Sequence, residues 1–171
     1  MNALVASASR HGATREIADL IGATLADRGI ATDIREIDNV CTLIGYDAVV
    51  IGSAVYMGDW ISAARTFVER HAGELAERPT WLFSSGPIGD PPKPGADTAV
   101  KIDDLLTAAH PREHRVFAGR LEMRRLGLVQ RTVARAVHAG EGDYRDWGAI
   151  QEWATGIADD LEDLDLSVAE G

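Results

Sequence analysis

Short apolar runs alternate with amphipathic stretches along most of this 171-residue chain, and that alternation restricts the fold more than any other feature. Five short runs, at residues 3–6, 32–37, 48–52, 80–84 and 115–119, predict strands, the second by its alternation. The third, Ala48-Val-Val-Ile-Gly52, is apolar throughout, as a strand buried on both faces must be. Between the runs, apolar side chains recur at spacings of three and four. Ile17, Leu20, Ile21, Thr24 and Leu25 predict a helix over 13–28, closed by Gly29. Phe67 and Val68 mark a helix over 61–71, a further helix is predicted over 97–109, and Ile150, Trp153, Ile157 and Leu161 mark the last one, over 147–164. Strand and helix in turn predict an α/β fold, a parallel sheet covered by helices on both faces.

The length suits one domain with a full core, residues 1–164, followed by a flexible tail over 165–171. Residues 121–144 exceed an ordinary connection and read as an insertion, helical from about 123 to 138 because Leu126, Val129, Val133 and Val137 form one stripe. A net charge of −10 argues against a nucleic-acid partner. A single cysteine, Cys41, excludes an internal disulfide framework and a cysteine-based metal cage, and no metal-ligand spacing is present. With no basic, apolar leader and no apolar run of about 20 residues, a reducing, cytoplasmic setting is expected.

Three loops rich in Gly, Ser and Pro follow strand ends: 7–14, 53–60 and 84–95. In a doubly wound sheet, ligands bind outside the carboxyl ends of the strands, so the three would converge on one edge. The first loop leads into a helix N-terminus, where free N–H groups and the helix dipole favour an anion. Ser7, Ser9 and Thr14 add hydroxyl donors, and Gly12 permits close backbone approach. It is neither a Walker loop nor a GxGxxG fingerprint. A simple capped turn is the other reading of the same residues.

Ser9-Arg10-His11-Gly12-Ala13-Thr14 resembles the phosphate loop of flavodoxins, Ser/Thr-x-Thr-Gly-x-Thr, with His11 where a hydroxyl residue is usual. Within the flavodoxin superfamily, the longer string from Ser9 to Ala18 looks like the menaquinone-dependent protoporphyrinogen IX dehydrogenases. So do Val50-Ile-Gly-Ser-Ala54, Ser62-Ala63 leading to Phe67-Val68, Ala118-Gly-Arg-Leu121, and the insertion before the last helix. The resemblance implies a flavodoxin-like doubly wound five-stranded parallel sheet of order 2-1-3-4-5, and FMN as cofactor. Ser7, Ser9, Thr14 and the backbone of Arg10, His11, Gly12 and Ala13 would hold the phosphate. The isoalloxazine ring would lie between the second loop, Ser53, Ala54, Val55, Tyr56, Met57 and Gly58, and the third, Ser84, Ser85, Gly86, Pro87 and Gly89.

The residue types at the ring site suit that role. Tyr56 and Met57 can face a flat polarisable ring, Gly58 would permit the peptide flip that flavodoxins use on one-electron reduction, and the third loop could donate backbone hydrogen bonds that tune the ring. Trp60 reads better as packing at a helix start, and the third loop is equally a plain Pro/Gly turn. No general acid or base stands out. Glu16 and Asp19 read as a solvated helix face, and the histidines at 110, 114 and 138 as surface or satisfied residues.

Charge is uneven. Between Pro111 and His138 seven arginines face two glutamates, leaving +5 in a chain of −10, and the segment after it is acidic. Arg124, Arg125, Arg131 and Arg135 would suit a membrane surface or an anionic substrate; pairing with the acidic last helix is the other reading. Two functions follow from the resemblance. One is an FMN-dependent dehydrogenase that oxidises a porphyrinogen-like substrate, passes electrons to a quinone and touches the membrane peripherally through the insertion. The alternative is a flavodoxin-type carrier shuttling electrons between redox-protein partners, for which an acidic surface gives electrostatic steering.

Overall fold

The computed structural model describes residues 1–86, 100–121 and 142–169. Five parallel strands form the sheet: β1 (Asn2–Ala8), β2 (Ala31–Glu36), β3 (Ala48–Tyr56), β5 (Thr80–Ser85) and β6 (Glu113–Phe117). Their spatial order is β2-β1-β3-β5-β6, with the two-residue β4 (Asp59–Trp60) antiparallel to the end of β3. Without β4 this is the expected order 2-1-3-4-5, with its reversal between β1 and β3. The helices are α1 (Ala13–Asp27), α2 (Ser62–Arg70), α3 (Ala72–Ala76), α4 (Asp103–Ala109) and α5 (Trp147–Ala169). A small ribbon, β7 (Arg120–Leu121) against β8 (Gly142–Asp143), brackets the stretch 122–141.

Side-chain alternation along the strands divides the core into two layers. Ala3 and Val5 of β1, Ala48 and Val50 of β3, and Trp81 and Phe83 of β5 meet α1 and α5 on one face. Leu4, Ala6, Val49, Ile51 and Leu82 meet α2, α3 and α4 on the other. On the first face Phe83, Phe117 and Trp153 form a ring cluster, with centroids 5.5–6.2 Å apart. Phe83 lies directly against Gly52, where a Cβ would fall 1.9 Å from Phe83 Cζ.

Several expected boundaries move. β1 runs on through Ser7 and Ala8, so the first loop begins at Ser9. The third strand continues four residues beyond Gly52, and the supposed loop 53–60 becomes a tight hairpin. Met57 (φ 53°) and Gly58 (φ 84°) both take the left-handed conformation, as a two-residue turn matching strand twist requires. The helix expected over 61–71 is α2, and a further short helix, α3, follows it after His71. The fifth strand lies two residues earlier than expected, and the last helix runs five residues past Leu164, to Ala169. The helix expected over 123–138 lies outside the described residues.

Candidate functional site

Register brings the loop-bearing strand ends into one row. Ala8 pairs with Ser53, Ser53 with Ser84, and Ser84 with Val116. The chain segments leaving β1, β3 and β5 therefore start from a common edge, at the carboxyl ends of the strands.

The first loop is an open cradle. Gly12 caps α1 in the left-handed conformation (φ 87°) and no side chain caps the helix. The N–H groups of Ala13, Thr14 and Arg15 thus lack the side-chain acceptor that usually occupies this place. Ser9 Oγ accepts the Gly12 N–H at 3.0 Å, which shapes the loop and leaves the Ser9 hydroxyl proton available. Thr14 is buried, and among the described residues its hydroxyl has no hydrogen-bond partner. A Cβ on Gly12 would meet nothing nearer than Glu16 Oε1, at 4.0 Å. Unclaimed donors around open space are the donor set a phosphate requires. Ser7 lies just below, buried at the end of β1, and His11 is half-buried in the loop.

The second segment rises beside the first. The Arg10 guanidinium lies over the Tyr56 ring, 4.8 Å from its centroid. Burial pushes the Tyr56 phenol up and the Arg10 charge opposes this, the net shift being upward, so the phenol is a neutral donor near pH 7. Met57, at the hairpin tip, is 95% exposed. Asp59 binds Arg65 at 2.7 Å and the Gly58 carbonyl accepts the Lys101 N–H at 2.7 Å, so the hairpin is tied down from two sides. Ala54 and Val55 are half-buried. Ser53 is fully buried: its Oγ accepts the Ile61 N–H at 3.0 Å and donates to the Ala54 carbonyl at 3.0 Å. Its hydroxyl is therefore committed to turning the chain into α2.

In the third segment Ser84 is also committed. It accepts from Trp60 Nε1 at 2.8 Å and lies 2.9 Å from His114 Nε2. Trp60 is a buried packing residue, as the sequence indicated, and His114 is half-buried beside it. Ser85 is buried, while Gly86 (φ 110°) donates its N–H to the Phe117 carbonyl at 2.8 Å. Gly86 sits so close to Gly119 and Val55 that a Cβ on Gly119 would lie 3.5 Å from Gly86 N. Pro87 and Gly89, and the insertion arginines Arg124, Arg125, Arg131 and Arg135, lie outside the described residues.

The sequence reading missed what borders the cradle. Glu16 is not merely a solvated face. It accepts from Arg120 at 3.1 Å and from Arg145 at 2.8 Å. The Arg145 side chain is 2% exposed, binds Asp143 at 2.6 Å, donates to the Ala13 carbonyl at 3.2 Å and stacks 4.3 Å over the Trp147 ring. Burial would lower its pKa, but the hydrogen bonds it donates to Asp143 and Glu16 outweigh burial and raise it. The signal present in the sequence is Asp143-x-Arg145-x-Trp147, which carries no helical or strand period. Nor do the described island arginines hold the acidic last helix: Asp159 and Glu162 pair with Arg28 of α1, at 2.6 and 2.9 Å.

A doubly wound sheet whose first strand–helix turn leaves its donors unclaimed fits a protein that takes a phosphate-bearing cofactor. Residues 4–147 match the family described as "Flavodoxin domain", and the chain belongs to it. It is an FMN-binding oxidoreductase. It is 27% identical over 172 residues to the protoporphyrinogen IX dehydrogenase [quinone] of Escherichia coli K12, the likeness covering 92% of this chain and 95% of that one. Solved structures of the same fold include a flavodoxin from the domain Archaea, with TM-score 0.64, 14% identity, and 95% of this chain and 99% of that one covered. Oxidised flavodoxin 1 from Bacillus cereus gives TM-score 0.62, 17% identity, and coverage of 93% and 98%.

Proposed function

We propose that this chain is an FMN-dependent dehydrogenase that oxidises a porphyrinogen-like substrate and delivers the electrons to a quinone. The observation that carries the reading is the likeness to the E. coli dehydrogenase over 92% of this chain and 95% of that one. FMN, when bound, supplies the ring that takes up and releases electrons. The chain's own residues bind and orient it. The Ser9 and Thr14 hydroxyls and the N–H groups of Ala13, Thr14 and Arg15 hold the phosphate. Tyr56 and Met57 border one side of the ring, and the backbone around Gly86 borders the other. Arg10, which makes no ion pair among the described residues, offers a cation at the mouth, suited to a carboxylate of an anionic substrate. Arg124, Arg125, Arg131 and Arg135, which lie outside the described residues, suit by their charge a quinone-bearing membrane surface. Among the described residues no helix is long and apolar enough to cross a membrane.

The net charge of −10 favours a second reading, a carrier that docks basic redox partners. One experiment separates the two. The purified protein is loaded with FMN, desalted, and given protoporphyrinogen anaerobically with and without a menaquinone analogue. The dehydrogenase reading expects flavin retention and, because oxidising a porphyrinogen to a porphyrin removes six electrons while a flavin takes two, porphyrin formation past about one third of an equivalent only with the quinone, falling when the four insertion arginines are reversed to Glu. Retained flavin with no quinone-dependent turnover, together with stepwise one-electron reduction, supports the carrier instead.

A further inference from the structure

We propose that Glu16, Arg120 and Arg145 form a charge-compensated latch that positions the phosphate cradle and makes phosphate recognition depend on docking of the β7–β8 ribbon. The inference rests on the FMN reading and goes beyond it, because none of the three is one of the donors in the cradle.

Glu16 lies in the first turn of α1 with Oε1 4.0 Å from the position of a Cβ on Gly12, at the rim of the cradle. A lone carboxylate there would repel a phosphate dianion. Arg120, on Oε1 at 3.1 Å and Oε2 at 3.3 Å, and Arg145, on Oε2 at 2.8 Å, neutralise it. With Asp143, which holds Arg145 through Nε at 2.8 Å and Nη2 at 2.6 Å, two cations meet two anions among the described residues. Removing either arginine leaves a net negative charge beside the phosphate.

The second contact is mechanical. Arg145 Nη1 donates to the Ala13 carbonyl at 3.2 Å. That carbonyl and the Thr14 N–H belong to one planar trans peptide and point in opposite directions. Holding the carbonyl from one side therefore aims the Thr14 N–H to the other, where the uncapped helix end faces the cradle. A buried guanidinium stacked on Trp147 has little freedom to release it.

Both arginines come from the ribbon that brackets residues 122–141: Arg120 is in β7, and Arg145 lies two residues beyond β8. The ribbon and the phosphate thus share Glu16 and the Ala13–Thr14 peptide. Binding is reciprocal, so phosphate favours the docked ribbon by the factor that the docked ribbon favours phosphate.

The test compares FMN with riboflavin, which lacks the phosphate. Dissociation constants for both are measured by quenching of flavin fluorescence in the wild-type chain, Arg145→Met, Arg120→Gln and Glu16→Gln/Arg145→Met, with far-UV circular dichroism for each. The expected result is FMN affinity about tenfold or more weaker in Arg145→Met, the scale of one charge-assisted interaction, with riboflavin changed by about twofold at most. The double variant should regain part of that loss, because the repelling carboxylate is gone; damage from structural loss alone would not be regained. Arg120→Gln, whose site is less buried, gives the same phosphate-selective loss if Arg145→Met does not fold. A wild-type chain that binds FMN while the folded variants keep its FMN-to-riboflavin ratio overturns the latch alone. A wild-type chain that takes up neither flavin overturns the cofactor reading and the latch with it.

Discussion

Gly52→Ala tests how tightly the site's central strand is packed. A Cβ at residue 52 would lie 1.9, 2.2 and 2.4 Å from Cζ, Cε1 and Cε2 of Phe83. Carbon–carbon contact needs about 3.5 Å, so the ring must retreat by about 1.5 Å. It has nowhere to go: Phe83 is fully buried, with Phe117 and Trp153 each 6.2 Å away centroid to centroid. Overpacking of this kind costs about 1–3 kcal/mol, and complete loss of a buried Phe about 3–5 kcal/mol. A cost of about 3 kcal/mol is therefore expected, which for a chain of this size lowers Tm by about 6–12 °C. The assay is urea unfolding with FMN saturating throughout, since a ligand that binds only the folded state shifts apparent stability. Phe83→Leu removes the obstructing ring edge, so Gly52→Ala/Phe83→Leu should be more stable than the two single losses predict, by about 1 kcal/mol or more. A loss below about 1 kcal/mol for Gly52→Ala, or strict additivity in the double variant, would refute the steric account.

Thr14→Val keeps the shape of a buried residue and deletes a hydroxyl that has no partner among the described residues; stability should change by less than about 1 kcal/mol while FMN, not riboflavin, binds about tenfold more weakly, the worth of one hydrogen bond to a charged group. Gly58→Ala forces a Cβ into a left-handed turn at φ 84° and should cost about 1 kcal/mol, read as a lower Tm. The Arg145 hydrogen bond holds the Asp143 carboxyl below its ordinary value. Because the folded pKa is depressed, its stabilisation is complete above the unfolded value of about 4 and is lost as pH falls through the folded one. Urea midpoints at pH 7 and pH 3 should therefore differ less in Asp143→Asn than in the wild-type chain.

The sheet was legible because central parallel strands leave an unmistakable trace. Runs such as Ala48–Ile51 are apolar on both faces and cannot belong to a surface element. The first loop was legible because small residues between a strand and a helix have few other uses. The hairpin at Met57–Gly58 was not, since a non-glycine at φ 53° contradicts local preference and is held by tertiary contacts, Asp59 to Arg65 and Gly58 to Lys101. The resemblance placed Ser53 and Ser84 beside the ring; the structure adds that both spend their hydroxyls inside the fold. Sequence gives the donor but not its direction. Arg145 was invisible for a related reason: its partners Glu16 and Ala13 are 129 and 132 residues away, and no period marks a single residue.

Those long-range contacts explain how a chain of charge −10 keeps an anion site. Coulomb interactions between exposed charges fade over a Debye length of about 8 Å in physiological salt, so distant acidic residues, such as those of the last helix, matter little at the cradle. What matters is the neighbourhood of α1's first turn. There Glu16 and Asp143 face Arg120 and Arg145, Glu36 pairs with Arg15, and Arg10 makes no ion pair among the described residues. Net charge therefore governs which partners approach the molecule, while a handful of paired residues governs what the cradle holds. The same division explains why charge reversal on the distant acidic helix should alter the salt dependence of partner association and leave FMN affinity nearly unchanged, whereas a single change at Arg145 should do the opposite.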